Sequence, residues 1–169
     1  TYQIVALVEN ANNSAEIYRA GYLLKIYDTV SVIPVKTIKG EAYVPAGSVF
    51  AVFEGPFSLE GEVIPNRATL EWDESTLVWR KNVASPPELT AADIVLSRET
   101  TSPRLEAVIG NLTLANVSNI DLTAVISDAE DNIFAASKTF IDNLPAGSEN
   151  PVIFTWPRAF DREAVETGI

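Results

Sequence analysis

"YVPAGSVFAVFEGP" runs from Tyr43 to Pro56, and "NLPAGSENPVIFTWP" runs from Asn143 to Pro157. Both carry Pro-Ala-Gly-Ser, at 45–48 and again at 145–148, ahead of an apolar run that closes on a proline. Proline presets φ, glycine accepts a positive φ and serine re-enters an extended chain, so each tetrapeptide reads as a tight reversal between adjacent strands. A phosphate-cradling loop is a poor fit, because it needs more glycine and a helix to follow.

Working outward from the turns, the two halves of the chain match in order. Asn10 falls on Asn111, Asp28 on Asp128, Lys36-Thr37-Ile38 on Lys138-Thr139-Phe140, Phe53 on Phe154 and Pro56 on Pro157, all at an offset near one hundred. A fixed period with conserved order means one β-domain written twice. Each copy breaks into short runs of Val, Ile, Tyr, Phe and Thr at roughly ten-residue spacing, and no apolar period of 3.6 persists.

In the first copy the strands are expected at 2–10, 22–28, 31–39, 48–54, 67–75 and 77–83, with residues 11–21 a loop and Pro34 marking an edge or bulge. In the second they are expected at 92–100, 104–111, 120–128, 132–141 and 150–156. The fold class that follows is all-β, two tandem immunoglobulin-like (fibronectin III-like) β-sandwiches, at residues 1–84 and 90–169. A proline-rich linker at 85–89, stiffened by Pro86-Pro87, tethers them closely.

The copies are unequal at their ends. "ADIVLSRET" at 92–100 precedes the run aligned with Thr1–Asn10, so the first copy lacks an opening strand. "RATLEW" at 67–72 closes the first copy, whereas the second ends in "DREAVETGI", so its closing strand is expected to be missing. An absent edge strand leaves backbone groups unpaired. Two explanations stand: a longer protein cut at both ends, or neighbouring subunits that donate strands head to tail.

Composition narrows the chemistry. Of 169 residues, 47% are hydrophobic, enough for a packed core. The chain carries 12 Lys and Arg against 23 Asp and Glu, a net charge of −11 that repels phosphate backbones and anionic headgroups and speaks against nucleic-acid binding. Cys, His and Met are absent, which removes thiolate and imidazole metal ligands, His-based triads and disulfides. A chain without thiols is compatible with an oxidising compartment. No apolar run approaches the ~20 residues of a membrane helix, so any membrane attachment is expected from a segment outside these residues.

The runs around "KIYDTVSVIP" carry a family resemblance. Val8 and Asn10, Tyr27 and Asp28, and Pro45–Ser48 in the first copy, with Ile109 and Asn111, Asp128, and Pro145–Ser148 in the second, resemble the FxLYD-type domain. Ser127 stands where that pattern has an aromatic residue. The resemblance implies a small immunoglobulin-like sandwich, found in tandem on bacterial surface and secreted proteins and without assigned catalytic residues. "FTWPRAF" and the tandem layout are similar to envelope-anchored proteins of candidate-phylum bacteria.

Few side chains stand out as sites. Asp128, Glu130, Asp131 and Asn132 crowd one turn with oxygen ligands and form a candidate calcium site, against the simpler reading of a polar hairpin loop. Asn12, Asn111 and Asn116 begin glycosylation sequons. Trp72, Trp79 and Trp156 with Tyr2, Tyr18, Tyr22, Tyr27 and Tyr43 offer either a sugar-stacking face or core packing. No carboxylate pair has a defined spacing, and an enzyme is not expected. The expected function is an extracellular or envelope-displayed structural module, a spacer, stalk or adhesion segment whose partners are proteins or copies of itself. The alternatives are a filament subunit completed by strand donation and a carbohydrate-binding module.

Overall fold

Residues 1–61, 63–81 and 87–169 are described by the computed structural model. The chain divides into two units, Thr1–Pro86 and Pro87–Ile169. The boundary between them, including Ser85 and Pro86 of the linker, lies outside the described residues. Both units are all-β with antiparallel sheets, and the described residues contain no α-helix.

The first unit runs β1 (Tyr2–Asn10), β2 (Ala15–Tyr27), β3 (Lys36–Val44), β4 (Ser48–Phe57), β5 (Arg67–Trp72), a 3-10 turn at Glu74–Thr76 and β6 (Arg80–Lys81). The second runs β7 (Leu89–Ser97), β8 (Arg104–Asn111), β9 (Val117–Ser127), β10 (Ile133–Leu144), β11 (Glu149–Thr155) and β12 (Glu166–Gly168). In the first, β1 pairs β4 in one sheet, and β3, β2 and β5 form the other in that order, with β6 added at the start of β2. In the second, the order is β11-β8-β7 in one sheet and β10-β9-β12 in the other. Strand for strand, β8, β9, β10, β11 and β12 repeat β1 to β5, while β6 of the first unit and β7 of the second have no counterpart among the described strands.

Period-two alternation builds the cores. Ala20, Tyr22, Leu24 and Ile26 of β2 point inward, as do Ile120, Ala124 and Ile126 of β9. In the second unit, Leu105, Ala107 and Ile109 of β8 and Val152 and Phe154 of β11 meet Ile120, Ala124, Ile126, Ile141 and Leu144 in one buried cluster. The two sheets of that unit therefore share a single core. Trp156 closes one end, donating its indole N–H to the Ala136 carbonyl (2.9 Å) and meeting Phe160 edge-on at 5.3 Å between ring centroids. The first unit instead divides its core between a cluster around Ile17, Ala20 and Val44 and one around Tyr22, Leu24 and Val52.

Strand ends shift by a few residues, so that β7 opens at Leu89 inside the expected 85–89 linker and a 3-10 turn at Glu74–Thr76 replaces the end of the expected strand 67–75. Four larger details differ from the sequence reading. Residues 15–21, expected in a loop, open β2, because β3 and β6 both pair with them. Residues 31–35, expected in a strand, are irregular and β3 begins at Lys36: Pro34 lacks the N–H a ladder needs, and Asp28 ties the loop to itself. The closing position of the second unit, expected to be empty, holds β12, which pairs Glu166–Gly168 with residues 125–127 of β9. The alignment of Phe53 with Phe154 is one residue out of register. Ala6 opposes Val52 as Ala107 opposes Val152, so Glu54 occupies the place of Phe154, and a one-residue slip reverses which face a side chain takes.

Candidate functional site

The residues common to both copies meet at the Pro-Ala-Gly-Ser turn. The Asn10 side-chain amide donates to the carbonyls of Ala15 (2.9 Å) and Pro45 (2.8 Å), while its Oδ1 accepts the N–H of Asn12 (3.0 Å). Asn111, 1% exposed, does the same at more points. It donates to Ala115 (2.9 Å), Leu144 (3.0 Å) and Pro145 (3.1 Å) and accepts from the Thr113 N–H (3.0 Å) and hydroxyl (2.7 Å). The glycine of each turn adds a backbone bond, Gly47 N–H to the Asn12 carbonyl and Gly147 N–H to the Asn111 carbonyl, both 3.0 Å. With φ of 57° and 64°, these glycines sit where other residues are strained. The asparagine is thus a clamp that satisfies the carbonyls of the adjoining loops, most fully in the second copy, where its bond to Leu144 is buried. Its burial removes Asn111 from the sequons a folded chain can present, whereas Asn12 and Asn116 are exposed.

The shared aspartate has an equally local role. Asp28 Oδ1 accepts the N–H groups of Val30 (3.0 Å) and Ser31 (2.6 Å), turning the chain after β2. Asp128 Oδ1 accepts the N–H groups of Glu130 (3.1 Å) and Asn132 (2.9 Å) and the Asn132 side-chain amide (3.1 Å). Arg162 then donates to its Oδ2 at 2.8 Å. Burial alone would raise the Asp128 pKa, but these donors, the Asn132 N–H and the Arg162 guanidinium foremost, hold it below the usual carboxylate range. Of the four candidate calcium ligands, Asp128 is buried and engaged by N–H donors and a guanidinium, while Glu130, Asp131 and Asn132 are exposed. Among the described residues no group of three or more Asp and Glu side chains is placed to hold a metal ion. The positive charge facing Asp128 is Arg162, whose distance along the chain gave no signal in the sequence.

The copies part company on their surfaces. After β2, Val30, Val32 and Ile33 are 88%, 89% and 71% exposed, where the second unit places its Asp128–Asn132 loop. On the outer face of β2 and β3, Tyr18 stacks on Tyr43 at 5.9 Å between ring centroids, and Arg80 lies over the Tyr18 ring at 5.1 Å. A bulge between Ile17 and Ala20 turns Tyr18 and Arg19 outward together. Burial and a hydrogen bond to Glu16 (2.7 Å) push the Tyr43 phenol up to about 12. In the second unit the same places hold Ser118 and Asn143, joined by a hydrogen bond of 3.1 Å. Of the tryptophans, Trp156 is buried and Trp72 packs on the first core, while Trp79 is exposed.

One contrast concerns backbone rather than side chains. β8 has β11 on one side and β7 on the other, whereas among the described residues β1 has only β4. Leu105, Ala107 and Ile109 of β8 are 0%, 2% and 2% exposed. Ile4, Ala6 and Val8, in the same places on β1, remain half-buried. Comparison with protein-family models, curated sequences and solved structures finds no match to the chain.

Proposed function

We propose that this chain is a non-enzymatic structural and interaction module, two tandem immunoglobulin-like (fibronectin III-like) sandwiches of the FxLYD type, displayed outside the cell or on its envelope as a spacer, stalk or adhesion segment. The observation that carries the reading is that the polar side chains kept in both copies, Asn10 and Asn111 with Asp28 and Asp128, act on neighbouring backbone. What the duplication preserves is scaffold, and what varies is surface. An acidic, thiol-free chain suits exposure outside the cell.

A second reading, a subunit completed by strand donation, is favoured by the edge of β1 with which no described strand pairs. Light scattering across a concentration series, with negative-stain microscopy, separates the two. A monomer at every concentration supports the spacer, and open-ended head-to-tail filaments support the subunit. Turnover of a glycan or peptide substrate by the purified chain would remove both.

A further inference from the structure

On the outer face of β2 and β3 the first unit brings together three features that the second lacks. Opposite Tyr43 the bulge between Ile17 and Ala20 turns both Tyr18 and Arg19 outward, whereas β9 and β10 pair unshifted through Ser118 and Asn143. An aromatic pair stands where the second unit has that serine and asparagine. β6, without a counterpart among the described strands of the second unit, sets Arg80 opposite Glu16 and brings its guanidinium over the Tyr18 ring. Bulges recur where a strand re-aims side chains for a site.

The cluster is ordered from beneath. Glu16 is 7% exposed, and its carboxylate accepts the Tyr43 hydroxyl at 2.7 Å, which fixes that ring. Tyr18 and Tyr43 nevertheless stay 55% and 46% exposed, their planes 24° apart. Rings that are already held in place lose little conformational entropy when a ligand packs on them. Alternation along β3 puts Glu41 on the same face as Tyr43, two residues or about 7 Å away. Arg19, next to Tyr18, meets that carboxylate at 2.6 Å. Both of its bonds go to Oε2, which leaves Glu41 Oε1 open among the described residues.

These neighbours define a ligand class. Aromatic surface packs against the C–H face of a sugar ring, and a carboxylate beside a guanidinium supplies an acceptor and donors for adjacent hydroxyls. The charges of Glu16, Glu41, Arg19 and Arg80 cancel, and the net charge of −11 opposes acidic glycans. A proline ring wedged between the tyrosines would need about 7 Å, two van der Waals contacts of about 3.5 Å, whereas the ring centroids are 5.9 Å apart. We propose that Tyr18 and Tyr43, with the Arg19–Glu41 pair, form a binding site for a neutral glycan on the first unit. A sugar ring packs on the tyrosines and its hydroxyls meet Glu41 and Arg19. The inference deepens the reading of the chain as an interaction module and rests on it.

The test uses the whole 169-residue chain and four neutral hexasaccharides, cellohexaose, laminarihexaose, xylohexaose and chitohexaose, with binding followed by NMR. At least one is expected to bind and to shift the resonances of β2 and β3 around Tyr18 and Tyr43. Tyr18→Ala and Glu41→Gln are each expected to weaken that binding at an unchanged melting temperature, the first by more than about tenfold. Trp79→Ala removes an exposed ring that takes part in none of these contacts and is expected to bind as the parent does. No binding of any of the four at millimolar concentration overturns the proposal, as does equal weakening by Trp79→Ala. So does binding of a proline decapeptide in their place, which makes the rings a peptide surface. Shortening of a hexasaccharide removes the module reading and this proposal together. A chain that neither binds nor shortens them loses only the site, so the two failures are distinguishable.

Discussion

The two units use one topology to different depths. The second gathers eleven buried residues into one core and pairs β8 on both sides, whereas the first divides its core and, among the described residues, pairs β1 on one side. Ile4, Ala6 and Val8 match Leu105, Ala107 and Ile109 in type, so the difference in their burial comes from the neighbour each strand has. A sheet edge is completed by whatever pairs with it, and residue identity alone does not bury a side chain.

The largest expected effect tests that contrast directly. Leu105→Ala should destabilise the second unit by about 3–4 kcal/mol, because a fully buried leucine leaves a cavity, while Ile4→Ala should cost the first about half as much. Urea unfolding with tryptophan fluorescence reports both, since Trp156 is the only tryptophan of the second unit and Trp72 and Trp79 belong to the first. Equal losses would mean that β1 is covered after all. Next in size, Asn111→Ala should cost about 2–3 kcal/mol by orphaning buried carbonyls, and Asn10→Ala somewhat less, as it donates to two carbonyls instead of three. If Asn10→Ala is the costlier, the clamps are not equivalent.

A pH titration sharpens the comparison of the loops. The Asp128 carboxyl titrates below its unfolded value of about 3.9, so its contribution is present above that pH and is lost as pH falls through the lower, folded value. Thermal scans from neutral pH into that range should show Asp128→Asn less acid-sensitive than the parent, its deficit at neutral pH shrinking as the solution is acidified. A deficit that stays constant with pH would remove the Arg162 pairing from the account. The smallest expected effects are at the surface. Tyr18→Ala should change stability by no more than about 0.5 kcal/mol. Millimolar calcium should leave the melting temperature unmoved, and a clear rise would restore the Asp128–Asn132 loop as a cation site.

The duplication was legible because its marks are local and repeated: a Pro-Ala-Gly-Ser turn, an asparagine before it and an aspartate between. The β class was legible from alternation and turn chemistry. The start of β2 was not, since Asn12, Asn13 and Ser14 signal a loop while the pairing of residues 15–21 comes from β3 and β6, further along the chain. The Phe53 and Phe154 alignment shows the same limit, as chemical similarity drew together residues whose ladder positions differ by one. The candidate loop showed its acids in the sequence, but its actual partner, Arg162, is 34 residues away.

Tyr22 holds a further consequence. Its hydroxyl crosses from β2 to Glu54 of β4 at 2.5 Å and lies over Gly40, where any Cβ would run into the ring. Burial and then the Glu54 carboxylate drive its pKa far above that of a free phenol near 10, so the ring stays un-ionised in alkali for as long as the first unit is folded. The share of the near-ultraviolet tyrosinate band that Tyr22→Phe removes therefore works as a built-in optical gauge, dark while the two sheets of that unit are in contact and lit when they separate, without any attached dye.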